Sequence, residues 1–200
     1  MSFWDERYDR ADYVFGEGPN AFLAANAGRL QGYRTALAVA DGEGRNGVFL
    51  AEQGLDVLSI DASPVGLIKA NELARKRGVR LTTHCLDIAG YDWPVAQFDV
   101  VAAIFIQFAA PALRAAMFAG MVQTLTPGGL LLLQGYRPEQ LAHGTGGPSQ
   151  VENMYTEALL REQFAGLQII SLESYDTELT EGTAHAGLSA VIDLVARKPD

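Results

Sequence analysis

Cysteine and histidine are scarce in this chain. Its 200 residues include one cysteine, Cys85, and three histidines that lie far apart. A single cysteine cannot form an internal disulfide, and the histidines show none of the spacings that are typical of metal sites. The sequence therefore predicts neither a disulfide framework nor a bound metal. We interpret Cys85 as a small buried apolar residue.

Basic residues and long apolar runs are also few. Lys and Arg number 15 against 24 Asp and Glu, the net charge is −9, and the longest basic run is Arg75-Lys76-Arg77. Such a surface would repel a polyanion. No apolar run reaches the length of a membrane span, and the first residues, MSFWDERYDRAD, lack the basic and then apolar order of a secretory signal. We expect a cytoplasmic protein that acts on a small molecule and binds neither nucleic acid nor membrane; its oligomeric state stays open.

What the chain has is an alternation of apolar β-type runs and helical patterns, with 48% hydrophobic residues. This alternation is typical of a parallel sheet covered by helices on both faces, and the length suits one domain. The sequence therefore predicts a single α/β domain. The predicted strands are 35–40, 56–60, 79–85, 98–104, 130–133, 167–173 and 188–196, of which 98–104 is central and the last two form an antiparallel pair at one edge. The predicted helices start after Asn20 and cover 45–53, 64–77, 111–125 and 156–164.

The sequence Gly42-x-Gly44-x-x-Gly47 lies where the first predicted strand meets its helix. Glycines let the backbone approach a ligand there, and the start of a helix offers unpaired N–H groups. Asp61 ends the second strand nineteen residues after Gly42, a position from which a carboxylate accepts hydrogen bonds from the hydroxyls of an adenosine ribose. The pair predicts a site for an adenosine-bearing cofactor.

Two cofactor classes fit this pattern, a nicotinamide dinucleotide and S-adenosylmethionine. Asp41 directly precedes Gly42, and Glu43 lies within the turn. Negative charge at this point would repel a pyrophosphate and suits a cationic ligand. Asp87, at the end of the third strand, is placed to meet an adenine edge, although a helix-capping role explains it equally well. S-adenosylmethionine is therefore favoured, and an NAD(P)-linked oxidoreductase remains the alternative.

The chain as a whole resembles the class I S-adenosylmethionine-dependent methyltransferases. The resemblance rests on Gly42-Glu43-Gly44-Arg45-Asn46, Asp61-Ala62-Ser63-Pro64, Asp87, Phe98-Asp99-Val100-Val101 and Thr126-Pro127-Gly128-Gly129. It implies a Rossmann-like, mostly parallel seven-stranded sheet in the order 3-2-1-4-5-7-6, with strand 7 antiparallel. The N-terminal Phe3-Trp4-Asp5-Glu6-Arg7-Tyr8 and the ending Ala196-Arg197-Lys198 are most similar to the small single-domain branch that includes tellurite-resistance and thiopurine methyltransferases.

The resemblance also implies how the single domain, residues 1–200, is divided. Residues 1–19 would be a lid or docking segment, 35–136 the cofactor-binding core, and 137–200 an acceptor loop, a helix and a β-hairpin. S-adenosylmethionine would be the cofactor and S-adenosylhomocysteine the product. The implied cofactor-binding residues are Trp4, Tyr13, Ala40, Asp41, Gly42, Gly44, Arg45, Asn46, Asp61, Ala62, Ser63, Asp87, Ile88, Ile104 and Phe105.

Two residues depart from the family pattern at the end of the first strand. The usual acid is replaced by Ala38 and a usual glycine by Ala40. We hypothesise that Asp41 supplies the missing negative charge near the amino group of the cofactor. The departures also leave open a third reading, a protein that binds adenosylmethionine but has lost its acceptor chemistry.

The acceptor is expected above the fourth and fifth strands. Candidate substrate-binding residues are Tyr8, Gln107, Phe108, Tyr136, Arg137 and His185. We assign no catalytic residue, because a sulfonium methyl is already activated and a soft nucleophile needs mainly to be positioned. A thiol, or an oxyanion of selenium or tellurium, would suffice, and other small-molecule acceptors stay open. In tellurite-resistance relatives His-Arg is the expected pair at the start of the last strand, whereas Ala186 follows His185 here.

Overall fold

A computed structural model describes residues 2–200, so that Met1, the first residue of the predicted lid segment, lies outside the described residues. The strands are β1 (Thr35–Val39), β2 (Asp56–Asp61), β3 (Thr82–Cys85), β4 (Phe98–Ile104), β5 (Leu125–Tyr136), β6 (Gln168–Glu181) and β7 (His185–Arg197). The α-helices are α1 (Phe3–Tyr8), α2 (Ala21–Ala25), α3 (Arg45–Glu52), α4 (Pro64–Arg77), α5 (Pro111–Thr124), α6 (Gln140–His143) and α7 (Glu157–Gln163). No described helix is both long and apolar enough to cross a membrane.

The strands form one seven-stranded sheet in the order β3-β2-β1-β4-β5-β7-β6. The first five pair in parallel, whereas β7 runs antiparallel to both β5 and β6. This confirms the predicted fold, including the central place of β4. Because the five parallel strands point the same way, their carboxyl ends converge on one edge, where α/β proteins bind ligands.

Apolar side chains of the central strands alternate between two cores, one on each face of the sheet. Leu37 and Val101 pack on one face with Phe118 of α5, while Ala36 and Val100 pack on the other. Burial on both faces is the reason why these strands are continuous apolar runs in the sequence. The two cores hold the strand ends, and therefore the residues that follow them, in fixed positions.

Local signals position helix α4 as predicted. The Ser63 hydroxyl accepts a hydrogen bond from the Gly66 N–H at the start of α4, Pro64 is the first helical residue, and Gly78 ends the helix in the left-handed conformation with φ +72°. The loops that precede α3 and α4 therefore project from β1 and β2 at the same edge of the sheet.

Four strands and one side chain differ from the prediction. Strand β3 begins at Thr82 rather than at residue 79, and β5 begins at Leu125, where Leu125 pairs with Phe98 across a bulge. The hairpin strands β6 and β7 extend to Glu181 and from His185, well beyond the predicted ends. Cys85 is exposed, not buried, because β3 is an edge strand. The longer hairpin brings its turn close to the carboxyl ends of the parallel strands.

Candidate active site

A cavity of about 670 Å³ lies over the carboxyl ends of the parallel strands. This volume is typical of small-molecule and cofactor sites. Residues that follow β1, β2, β3 and β4 form its floor, and the N-terminal segment, the loop 146–150 and the start of β7 form its walls. The strand ends that the sequence predicts to converge therefore form the floor of a cavity large enough for a cofactor.

Asp61 ends β2 on the floor of this cavity. One carboxylate oxygen accepts a 2.8 Å hydrogen bond from the Gly42 N–H and the other accepts a 2.8 Å bond from the Ser63 N–H. Burial raises the pKa of Asp61, while these N–H donors oppose the rise. A carboxylate has about four acceptor positions, so Asp61 retains capacity for two ligand hydroxyls.

Asp41 caps the helix that follows the glycine turn. Its carboxylate accepts the Gly47 N–H at 3.1 Å and the Ser59 hydroxyl at 2.8 Å. Burial raises the pKa of Asp41 to about 7, partly offset by these two bonds. Asp41 also lines the cavity. The N-terminus of α3, where a helix would otherwise attract an anionic ligand, is therefore already occupied by a carboxylate of the protein.

Glu43 has a different role from the one its sequence position suggested. It is buried, forms an ion pair with Lys69 of α4, and accepts a 2.7 Å hydrogen bond from the Val14 N–H. The Lys69 ammonium also donates to the backbone carbonyls of Tyr8, Arg10 and Asp12. The charge of Glu43 is therefore used to fix the N-terminal segment against the domain.

The docked N-terminal segment covers one side of the cavity with aromatic rings. Trp4 stacks on Tyr8 with ring centroids 5.6 Å apart, and Tyr8 lies edge-on to Phe15. A second anchor is Asp5, which accepts a 2.6 Å hydrogen bond from the Ser63 hydroxyl. Trp4, Tyr8 and Phe15 all line the cavity.

Two residues of the cavity wall have left-handed backbone conformations that side chains disfavour. Ala40, directly after β1, has φ +49°, and Phe105, directly after β4, has φ +54°. Such strain costs on the order of 1 to 3 kcal/mol for each residue and concentrates at functional sites. The positive φ of Ala40 explains why glycine would be the ordinary residue at that position.

The far end of the cavity is aromatic and contains unsatisfied polar atoms. The His185 ring lies between Phe15 and Phe105, at centroid distances of 4.5 and 4.4 Å, and Tyr136 packs on Phe105 at 4.6 Å. Tyr136 Oη and His185 Nδ1 are buried and have no hydrogen-bond partner among residues 2–200. Gln107, in contrast, is fully engaged, because its amide donates to the Tyr136 carbonyl and accepts from the Tyr136 N–H.

Most of the predicted site residues line this one cavity. Those that do are Trp4, Tyr8, Ala40, Asp41, Arg45, Asn46, Asp61, Ala62, Asp87, Ile88, Ile104, Phe105, Gln107, Phe108, Tyr136 and His185. Asp87 also accepts the Ala89 N–H at 3.0 Å, so that its capping role and its place on the wall coexist. Their roles toward a ligand remain predictions.

Five predicted residues lie away from the cavity wall: Tyr13, Gly42, Gly44, Ser63 and Arg137. The Tyr13 ring packs against Lys69, and Arg137 pairs with Asp176 outside the cavity. Ser63 caps α4, and Gly44 fits closely against Ala70 of that helix. Gly42 faces the hydroxyl of Tyr8, which a Cβ at this position would overlap. These five residues support the elements around the cavity but do not contact the cavity themselves.

Sequence reasoning missed several wall residues. Arg7 and Phe15 belong to the N-terminal segment, and the loop 146–150 follows the predicted core. The aromatic composition of the N-terminal segment was a usable signal for Phe15. The loop 146–150 lies within 137–200, where the resemblance implies an acceptor loop, but none of its residues was predicted individually as a site residue.

Comparisons with known proteins agree on the fold. Residues 36–129 match a family model described as "Methyltransferase domain". That span runs from β1 to the turn within β5 and carries the strand-end acids. No curated protein matches the sequence significantly.

Solved structures with the same architecture are numerous but distant in sequence. TehB from Haemophilus influenzae is 17% identical, with a TM-score of 0.73 over 98% of this chain and 66% of that chain. N-methyltransferase NodS from Bradyrhizobium japonicum WM9, in complex with S-adenosyl-L-homocysteine, is 14% identical, with a TM-score of 0.72 over 98% and 97%. A protein studied for the conversion of a disulfide bond into a thioacetal group during echinomycin biosynthesis is 17% identical, with a TM-score of 0.78 over 98% and 88%.

These likenesses establish the fold alone. Sequence identities of 14 to 17% say nothing about a shared substrate or activity. The S-adenosyl-L-homocysteine in the NodS structure is a ligand of that protein. The protein therefore has the Rossmann-like fold of these neighbours, and its residues 36–129 are similar to a methyltransferase domain.

Proposed function

We propose that this protein transfers the methyl group of S-adenosylmethionine to a small molecule. The observation that carries the proposal is the Asp41 carboxylate at the N-terminus of α3, bonded to the Gly47 N–H. A pyrophosphate would have to displace this group or lie against its charge, which disfavours a nicotinamide dinucleotide. A cationic ligand benefits from the same charge.

The residues of the cavity fit the proposed cofactor. Asp61 would accept the ribose hydroxyls, Asp87 and Ile88 would contact the adenine, and Asp41 would lie near the amino group. The rings of Trp4 and Tyr8 are available to a sulfonium, which aromatic faces attract as they attract other cations. The bound cofactor would supply an activated methyl group, and the protein would hold an acceptor in line with it and exclude water.

The acceptor that this site suits is small and apolar around its nucleophile. Phe15, Phe105 and Phe108 supply apolar surface, while the free Tyr136 hydroxyl offers one hydrogen bond. We therefore retain a thiol, or an oxyanion of selenium or tellurium, as the proposed acceptor class. The similarity to TehB and the sulfur chemistry named for the echinomycin protein motivate the choice but concern those proteins. A cytoplasmic location and membership of the tellurite or thiopurine branch are parts of the same proposal.

A thermal-shift panel tests the cofactor. A ligand at one hundred times its dissociation constant adds about 2.7 kcal/mol of stability, or about 5 to 10 °C for a chain of this size. We expect S-adenosylhomocysteine and S-adenosylmethionine to raise Tm by that amount and NAD(H) and NADP(H) to leave it unchanged. Stabilisation by a dinucleotide alone would overturn the proposal.

Turnover separates an active enzyme from a protein that only binds the cofactor. The departures at Ala38 and Ala40 motivate that second reading. Small thiols, selenite and tellurite are offered with S-adenosylmethionine, and methylated product and S-adenosylhomocysteine are quantified. Cofactor binding without product from any member of the panel would favour the binding-only reading.

A further inference from the structure

Among residues 2–200, His185 is the one histidine that lines the cavity, and the turn of the β6–β7 hairpin places a carboxylate beside it. Glu181 and His185 are directly opposite each other in the antiparallel register. The His185 Nδ1 lies 3.9 Å from Glu181 Oε2 and has no other polar partner. This distance is longer than a hydrogen bond, but pairs of this kind are often loose without ligand and shorten on binding.

Glu181 is held rigidly from its other side. Its carboxylate accepts a 2.7 Å hydrogen bond from the Arg45 guanidinium, a 2.9 Å bond from the Ala21 N–H and a 3.0 Å bond from the Asn20 amide. Burial alone would raise the pKa of Glu181, but the neighbouring His185, Arg45 and Ala21 N–H lower it to about 2. Glu181 is therefore an ionised, fixed acceptor beside Nδ1.

The His185 ring has a correspondingly defined orientation. Phe15 and Phe105 pack on it from two sides, so that the ring cannot turn freely. With Nδ1 directed at Glu181, Nε2 is the nitrogen left for the cavity that the residue lines. In carboxylate–imidazole pairs of this type, the carboxylate selects the Nδ1–H tautomer and leaves Nε2 as the base.

We propose that His185 is a general base for the methyl acceptor and that Glu181 positions it by holding the Nδ1–H tautomer. The inference rests on the proposed function and refines its substrate class. The acceptor is then a small molecule X–H that carries its proton at neutral pH, such as a thiol, rather than a nucleophile that is already an anion.

The proton and the electrons balance within this scheme. The proton of X–H passes to Nε2, and the X–H electron pair forms the new X–CH₃ bond. The S–CH₃ bond of the donor breaks with its pair remaining on sulfur. His185, now an imidazolium, is stabilised by the Glu181 carboxylate and loses the proton to solvent before the next turnover.

The charges around His185 keep it available as a base. Burial lowers the pKa of His185, the Glu181 carboxylate opposes this, and the cations Arg45 and Arg7 lower it further. The other neighbouring side chains, Phe15, Phe105 and Tyr136, are uncharged, since burial raises the pKa of the Tyr136 hydroxyl. His185 is therefore neutral at pH 7, the form that accepts a proton.

The tautomer of His185 tests the proposal without any turnover. Long-range ¹H–¹⁵N spectra of histidine-labelled protein, free and with S-adenosylhomocysteine, report which nitrogen carries the proton. The chain has three histidines, so His84→Gln and His143→Gln variants assign the remaining signal to His185. We expect the neutral Nδ1–H tautomer between pH 6.5 and 8, a range at and above the ordinary histidine pKa of about 6.5.

Two glutamate variants separate positioning from a general effect of charge. Glu181→Gln removes the carboxylate behind Nδ1 and is expected to shift His185 toward the Nε2–H tautomer. Glu178→Gln removes an exposed carboxylate of the same strand and is the matched control, expected to leave the tautomer unchanged. An Nε2–H tautomer or a charged ring in the unmodified protein would overturn the proposal, even where Glu181→Gln fails to fold.

A kinetic measurement tests the base itself. An alkyl thiol, largely protonated at pH 7.5, and an aryl thiol, largely ionised, are compared as acceptors with and without His185→Asn. We expect about a 100-fold loss of kcat with the alkyl thiol and a loss at least about tenfold smaller with the aryl thiol. Equal losses with both thiols would refute the base. If S-adenosylhomocysteine binds no form of the protein, the proposed function fails separately, since the tautomer is read without it.

Discussion

Asp41→Asn tests the electrostatic reasoning most directly, because the change preserves the shape of the side chain. The asparagine carbonyl can still accept the Gly47 N–H, and its amide can donate to the Ser59 hydroxyl, which now donates to the carboxylate. Asparagine is also a good helix-capping residue. The variant therefore removes a charge while leaving the glycine turn and α3 in place.

The expected effect on stability follows from the pKa of Asp41. Burial raises it from 3.8 to about 7, so that the folded protein binds a proton that the unfolded chain releases. For a carboxyl group with a raised pKa, stability is present at low pH and is lost as the pH rises toward the folded pKa. Between pH 6 and pH 8 this loss is about 1.4 kcal/mol, which corresponds to about 3 to 6 °C in Tm.

Thermal unfolding of both proteins at pH 6 and pH 8 measures this quantity. We expect the Tm of Asp41→Asn, relative to the unmodified protein, to rise by about 3 to 6 °C between the two pH values. Other titrating groups, including Asp193, whose pKa burial raises to about 6, cancel in this double difference. The same difference at both pH values would refute the assignment of a raised pKa to Asp41.

Calorimetry at pH 8 tests what the charge does for the ligand. Losing a hydrogen-bonded charge interaction costs about 1.5 to 3 kcal/mol, so Asp41→Asn should weaken S-adenosylmethionine binding by about 10- to 100-fold. Asp56→Asn, an exposed change at the opposite end of β2, is the matched control. Unchanged affinity in Asp41→Asn would dismiss the hypothesis that Asp41 replaces the missing acid.

Three further outcomes test the walls of the site. Ala40→Gly should raise the free energy of unfolding by up to about 1 kcal/mol, because glycine adopts the left-handed φ of this position without strain. Ala38→Gly, in the regular strand β1, should lower the free energy of unfolding. Urea unfolding of the two variants measures the sign of each change. Lys69→Met should cost about 3 to 5 kcal/mol by leaving Glu43 buried without its cation, and Glu43→Gln in the same chain should restore part of the loss in the same assay. Trp4→Ala should leave urea unfolding nearly unchanged but weaken S-adenosylmethionine more than S-adenosylhomocysteine in calorimetry, because only the former has a sulfonium.

Elements whose ends are marked by capping or turn residues could be predicted from the sequence. Elements whose length depends on pairing with another strand could not. Helix α4 was predicted to the residue because Ser63, Pro64 and Gly78 mark its ends locally. Strand β6 continues to Glu181, eight residues beyond the predicted end at residue 173, because its exposed second half lacks apolar periodicity. The hydrogen bonds to β7 keep it extended, and no single-strand pattern records them.

The residues of the site likewise fall into those that the sequence could predict and those that it could not. Asp41, Asp61 and Asp87 could be placed together because the ends of neighbouring parallel strands meet at one edge of the sheet. The contacts of the N-terminal segment could not, since they depend on Lys69 of α4 and Glu43 of the glycine turn meeting three backbone carbonyls. Ser63, predicted beside the cofactor, instead binds Asp5 of that segment.

The acidic residues of the glycine turn and of the cavity floor differ in how their charge is compensated, and this difference points to the ligand. Glu43 has Lys69, and Asp61 has two backbone N–H groups at 2.8 Å. Among residues 2–200, no basic side chain forms an ion pair with Asp41, whose pKa is raised to about 7 by burial. A cation bound in the cavity would restore its ionised form and recover part of the cost of burying it. The charge of Asp41, which two hydrogen bonds but no basic side chain stabilise, is thus a reason for the site to bind a cation, and a neutral or anionic ligand would gain nothing from it.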